Sequence, residues 1–166
     1  MLKNLSLGFK KKCLLGGLFL LLAGCSTPPI ERNPYLPDLR FSLPINLSLP
    51  QYDNLRFAGG ALLLSNYGHK GIIVFNLNGN SYLAWEASCP NHLPNDCSQT
   101  QIVGVLAQCS CEDYQYSLAT GQLLNPDEGE ETPYSMLMYQ AILRGNILEI
   151  SNWTRPVAQA GAITII

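Results

Sequence analysis

The sequence predicts an all-β, antiparallel domain, a sandwich or small barrel of about eight to ten short strands. Three observations predict it. Short apolar runs recur, several alternating apolar and polar residues with period two. The 14 Gly and 11 Pro are spread among those runs, which suits a turn-rich fold rather than a helical bundle. No stretch sustains a 3.6-residue period with capping residues at its ends.

The elements follow in order. Residues 41–49 alternate strictly, Phe41, Leu43, Ile45, Leu47 and Leu49 against polar neighbours, as a half-buried strand does. Pro44 within it calls for a sheet edge or a bulge. Residues 61–64 (ALLL) and 71–77 (GIIVFNL) read as strands, the first too short for a helix. Asn78-Gly79 is a strong hairpin signal, and 82–86 (YLAWE) returns. Residues 102–106 (IVGVL) read as one strand, and 114–118 (YQYSL) as another, closed by Thr120-Gly121. Runs 136–143 and 147–150 form a hairpin through Arg144-Gly145-Asn146. The tail 153–166 ends in an apolar, β-prone GAITII, which either docks as an edge strand or is an exposed liability.

The 166 residues fit one domain. Ten basic against 12 acidic residues exclude a nucleic-acid binder that works through a basic surface. Two histidines limit both metal chemistry and His-based catalysis.

Residues 1–24 read as an export signal. Lys3, Lys10, Lys11 and Lys12 precede an apolar run, 13–23 (CLLGGLFLLLA), too short to span a bilayer comfortably. The run ends in Leu22-Ala23-Gly24-Cys25, which resembles the lipobox of bacterial lipoproteins. That resemblance implies cleavage before Cys25, acylation of Cys25, and an exported chain held to a membrane and facing the periplasm or cell surface. Residues 25–39 hold four prolines and read as a tether; the folded domain is then 40–152. Removing 1–24 leaves 6 basic and 12 acidic side chains, a balance of −6. Export favours pairing of the remaining Cys89, Cys97, Cys109 and Cys111. Four cysteines allow three connectivities, of which any with Cys109 bound to Cys111 is disfavoured by its single intervening residue.

These cysteines sit in an informative order. Cys89-Pro90-Asn91-His92 follows the Trp85 strand, and Cys109-Ser110-Cys111-Glu112 follows the 102–106 run. Tyr114, Tyr116 and Thr120-Gly121 come next. This resembles the Rieske domain, in which one strand delivers a Cys-x-His loop and another a Cys-x-x-His loop, followed by an aromatic strand and a Thr-Gly turn. The resemblance spans roughly residues 40–152 and is best over 85–124. It implies a Rieske-like antiparallel sandwich or small barrel with two Cys-containing loops. In the family two Cys and two His hold a [2Fe-2S] cluster. Cys89 and Cys109 match the two thiolates, but the His positions fall on Asn91 and Glu112. His92 is one residue late, and His69 lies far upstream. The resemblance further implies that Cys97 and Cys111 pair as the family's loop-tying disulfide. With the cluster gone, Cys89 and Cys109 would face each other and pair too.

The expected function is therefore an exported, membrane-anchored module, not an enzyme, with a degenerate cluster site and no cofactor. The alternative is a Rieske-type [2Fe-2S] electron-transfer protein that uses His92 as a non-standard ligand. Neither reading identifies the protein or redox partner. Zinc on Cys89, His92, Cys109 and Cys111 has acceptable ligand types, but an oxidising compartment competes for the thiols. A redox-active dithiol of Cys89 and Cys109 is opposed by the neighbouring Glu112 and Asp113. The run 127–131 (DEGEE) reads as a solvated acidic turn rather than a calcium loop. His92 reads as an exposed loop residue, and Tyr82, Trp85, Tyr114 and Tyr116 as core or cross-strand aromatics. No Ser/His/Asp set, phosphate loop or paired catalytic carboxylate stands out.

Overall fold

The computed structural model describes residues 33–126 and 133–152. The signal segment, Cys25, the acidic turn 127–131 and the tail 153–166 lie outside them.

Nine strands are present among the described residues: β1 (Ser42–Asn46), β2 (Ala61–Leu64), β3 (Ile72–Asn76), β4 (Tyr82–Glu86), β5 (Gln101–Val103), β6 (Leu106–Gln108), β7 (Gln115–Ser117), β8 (Met138–Arg144) and β9 (Ile147–Ser151). They form a six-stranded sheet in the order β1-β9-β8-β4-β3-β2 and a three-stranded sheet in the order β5-β6-β7. Every pairing is antiparallel. The fold is all-β, and the larger sheet curls into a half-barrel. β1 is the outermost strand, where the missing N–H of Pro44 is tolerated.

β3 explains the layering. Its five residues are all buried, so both faces are covered. Ile72 and Val74 point into the curl of the large sheet, against Leu43, Ile45, Leu55, Leu148 and Ile150. Ile73 and Phe75 point the other way, with Trp85, toward Ala107 and Tyr116 of the small sheet and the flanking Tyr114 and Leu118. The continuous apolar run in the sequence is thus a strand shared by two cores.

Two differences from the sequence reading have local causes. Residues 102–106 are not one strand: the chain turns at Gly104-Val105, and β5 pairs with β6 as a hairpin. A glycine inside a short apolar run marks the reversal. Residues 50–56 form a 3₁₀ helix opened by Pro50, which buries Leu55 beneath the curl. Residues from Asn33 onward belong to the same compact unit as the strands. Leu36 is buried, Asn33 Nδ2 donates to Pro90 O at 2.8 Å, and Asn152 Nδ2 donates to Leu39 O at 2.8 Å. The end of the expected 25–39 tether is therefore packed on the domain.

A buried carboxylate fixes the end of β4. Glu86 accepts from the backbone N–H of His69 (2.8 Å), Lys70 (2.9 Å) and Ser88 (3.0 Å) and from the Tyr139 hydroxyl (2.6 Å). It is fully buried, and these four donors replace its water. Gly68 lies at φ 71, and a Cβ there would come within 2.5 Å of the carboxylate. Burial, the Glu86 charge and the hydrogen bond hold the Tyr139 phenol far above its usual range. The sequence places Glu86 in a strand but gives no sign of this junction, whose partners come from three separate segments.

Candidate functional site

β4 ends at Glu86 and releases the first loop, residues 87–100; β6 ends at Gln108 and releases the second, residues 109–114. The first loop folds back on its own base. Cys89 N donates to Ser98 O (2.7 Å), and Thr100 reaches Ala87 O with its N–H (2.7 Å) and its hydroxyl (2.9 Å). Asn95 Oδ1 accepts from Cys97 N (3.0 Å) and Ser98 Oγ (3.0 Å), while Asn95 N donates to Ser98 Oγ (2.7 Å). The second loop closes through Cys109 N to Tyr114 O (2.8 Å). Asp113 turns it at φ 59, and its carbonyl accepts from Asn125 Nδ2 at 3.1 Å. Asp is among the few residues that tolerate this left-handed conformation.

The loops meet at their cysteines. Of the three possible connectivities the structure has Cys89–Cys109, with Cα atoms 5.6 Å apart, and Cys97–Cys111, at 5.3 Å. The pairs differ in environment. Cys89 and Cys109 are buried in the core between the sheets, whereas Cys97 is exposed and Cys111 half-buried.

The residues standing at the two His positions do unlike things. Asn91 is a structural tie: its Nδ2 donates to the Tyr116 hydroxyl (2.8 Å) and Tyr134 O (3.3 Å), and its Oδ1 accepts from Tyr134 N (2.7 Å). Glu112 faces the cysteines. Its Oε2 lies 2.8 Å from Cys109 Sγ and its Oε1 3.2 Å from His92 Nε2. A bridged sulfur carries no proton, so the first contact becomes a hydrogen bond only when the disulfide is reduced. His92 is not an open loop residue: its side chain is 19% exposed. Its Nδ1 lies 2.9 Å from Leu93 O, and its Nε2 is buried and makes no hydrogen bond. The expectation of an exposed His92 fails because the second loop covers the ring with Glu112.

Cys89, His92, Cys109, Cys111 and Glu112 each bring a ligand atom within 4.8 Å of the others. A [2Fe-2S] cluster held in the Rieske manner does not fit these residues. Both matching thiols are bridged, the Asn91 amide is committed to Tyr116 and Tyr134, and a carboxylate stands where the second imidazole is needed. His69 is engaged elsewhere, with Nε2 2.8 Å from Pro37 O.

Trp85 and Gly121 place the small sheet against β4. The indole N–H donates to Leu118 O at 2.8 Å. Gly121 lies at φ 73, and a Cβ there would sit 2.5 Å from the indole ring. The Thr-Gly turn is thus where the chain passes over the Trp85 ring. Sequence reasoning missed Tyr134 and the locking role of Asn95 and Ser98. The Asx turn was signalled by an Asn two residues before Cys97; the Asn91–Tyr134 contact, 43 residues apart, carried no signal.

No family model and no curated protein matches the chain. Solved structures that are similar to it include the following two. One is a complex of reduced oxygenase and oxidized ferredoxin in carbazole 1,9a-dioxygenase, at 12% identity over 57% of this chain and 82% of that chain, TM-score 0.41. The other is a putative NADH-dependent nitrite reductase small subunit from Mycobacterium tuberculosis, at 18% identity over 70% of this chain and 99% of that one, TM-score 0.42.

Proposed function

We propose that this chain is an exported lipoprotein whose Rieske-like domain has exchanged its iron–sulfur cluster for disulfides and serves as a non-catalytic binding or structural module. The observation that carries the reading is the Cys89–Cys109 bridge, which occupies the two sulfurs a cluster would need. Asn91 supports it, being built into the packing of the loop rather than aimed at the cysteines. Acylation at Cys25 would supply the membrane anchor; among the described residues no helix is long and apolar enough to cross a bilayer. The domain then works on a membrane surface, by contact rather than by chemistry.

The deciding measurement is iron content together with thiol alkylation and mass spectrometry, on protein purified from the compartment to which it is exported. The expected result is iron-free protein in which none of Cys89, Cys97, Cys109 and Cys111 is alkylated before reduction. Alkylation of Cys89 and Cys109 with Cys97–Cys111 intact, or stoichiometric iron, would refute the reading and favour electron transfer. The anchor is tested separately: Cys25→Ala should abolish incorporation of a clickable fatty acid, and label retained on that variant counts against Cys25.

A further inference from the structure

We propose that reduction of the Cys89–Cys109 bridge converts this pocket into a zinc site held by Cys89, Cys109, His92 Nε2 and Glu112. The pocket would then alternate between a disulfide and a metal centre. The proposal rests on the reading above, that the two thiols are bridged to each other rather than bound to a cluster.

The starting point is the contact of His92 with Glu112 beside the disulfide. A carbonyl oxygen only accepts, so the contact of His92 Nδ1 with Leu93 O (2.9 Å) puts a ring proton on Nδ1. Nε2 is then the nitrogen left to face Glu112. It is buried and makes no hydrogen bond, and a Glu112 oxygen stands 3.2 Å from it. A proton on Nε2 makes this an ion pair, and a cation held between the two atoms would take that proton's place. A ring whose other nitrogen donates to a backbone carbonyl is the usual arrangement of a metal-bound histidine. Here that orienting contact is already made.

The remaining ligands are equally near. All five candidate atoms, from Cys89, His92, Cys109, Cys111 and Glu112, lie within 4.8 Å of one another. In a tetrahedral zinc site with Zn–S of about 2.3 Å, two thiolates stand roughly 3.7 Å apart. The two sulfurs must therefore separate, but within the space the surrounding ligands already define. The sequence alone suggests Cys111 as the fourth zinc ligand. Glu112 stands against both Cys109 and His92, so it takes the place of Cys111 as the fourth ligand. Thiolate, imidazole and carboxylate together suit zinc better than the harder cations magnesium or calcium.

The cycle balances. An external dithiol gives two electrons and two protons to the Cys89–Cys109 bond, becoming a disulfide and leaving two thiols. Zn²⁺ displaces both thiol protons to solvent and forms two Zn–S bonds. In reverse, a disulfide oxidant accepts the two electrons from the thiolates and two protons from solvent, becoming a dithiol, while the Cys89–Cys109 bond re-forms and Zn²⁺ leaves.

The test uses the purified full-length chain. It is reduced anaerobically with a phosphine, desalted, exposed to zinc chloride, desalted again and assayed for metal. The reduced protein should hold one zinc per chain and the oxidised protein none. The double variant Cys97→Ser/Cys111→Ser should bind as the parent does, and its X-ray absorption should show two sulfur and two nitrogen or oxygen neighbours. His92→Ala and Glu112→Gln should each weaken binding by about tenfold or more. Zinc absent from the reduced double variant, four sulfur neighbours, or undiminished binding by His92→Ala would overturn the proposal. If reduction unfolds the chain, recovery of its circular dichroism on adding zinc supports the site, and failure to recover overturns it. Iron in the protein before reduction would defeat the cluster-free reading instead. Iron-free protein that takes up no zinc when reduced defeats this proposal alone.

Discussion

The two sheets of this domain are held together by different forces. The large sheet has strands of four to seven residues and a curled interior filled by Leu43, Ile45, Leu55, Ile72, Val74, Leu148 and Ile150. The small sheet has three strands of three residues each, and β5 buries none of its side chains fully. Hydrophobic burial suffices for the first. The second adds two disulfides, the Asn91 amide and the Trp85 indole N–H. Strands this short remove too little apolar surface from water to offset the entropy of ordering two long loops. Covalent and polar ties lower that cost by fixing the loops at their ends.

The sharpest way to break this contrast is to reduce the bridges. Each should cost about 2–5 kcal/mol, enough together to unfold a marginal domain. Hydrogen exchange followed during mild reduction should accelerate across Gln101–Val103 and Gln115–Ser117 before it does across Ile72–Asn76. Equal acceleration in both sheets would show that the disulfides support the whole molecule alike. Ile150→Ala attacks the other side. The loss of a fully buried side chain should cost about 2–5 kcal/mol in urea denaturation, with β1 and β9 the first to exchange. A loss confined to the small sheet would reverse the assignment of forces.

Asn91→Ala is a smaller cut. It strips the Tyr116 hydroxyl of a donor and leaves Tyr134 N–H without its acceptor, which should cost about 1–3 kcal/mol by thermal unfolding. A variant of unchanged stability would mean that the disulfides alone hold the first loop. Tyr139→Phe is the mildest, about 1 kcal/mol, since Glu86 keeps three backbone donors. It has a pH signature. The folded-state pKa of Tyr139 is raised, first by burial and then by the charge and hydrogen bond of Glu86. Its contribution is therefore complete below the unfolded value of 10.0 and declines as the pH rises above it. Stability measured from pH 8 to about pH 11 should fall less steeply in Tyr139→Phe than in the parent, and parallel curves would exclude Tyr139 as the source.

The same contrast decides what could be read from the sequence. Most of the large sheet was legible, because alternation in 41–49, the apolar run before Asn78-Gly79 and the Arg144-Gly145-Asn146 turn are local patterns. The β5–β6 hairpin was hidden, since Ile102, Val103, Val105 and Leu106 look like one strand until the turn at Gly104 is seen. At the site, the order of cysteines was legible, but the use made of Asn91 and Glu112 was not. Asn91 is defined by Tyr134, and Glu112 by how the second loop covers His92. Spacing along a chain carries neither. Glu86 was invisible for the same reason: a carboxylate at the end of a strand is usually solvated, and only the turn at Gly68 and the Tyr139 hydroxyl make it a junction.

The pairing of β1 with β9 bears on the order of assembly. Ser42 and Glu149 lie 107 residues apart and meet on adjacent strands, so the curl cannot close until nearly the whole domain is available. Cys97 and Cys111 are separated by only 14 residues, and Cys89 and Cys109 by 20. Contacts of such different sequence separation form on different timescales, because the longer loop has more chain entropy to lose before any contact rewards it. In a chain emerging amino terminus first, the cysteine loops can be oxidised while the partner of β1 is still absent. Until Ile147–Ser151 arrives, Leu43 and Ile45 lack the part of their cover that Leu148 and Ile150 supply, and that interval is when this protein is most exposed to aggregation and proteolysis.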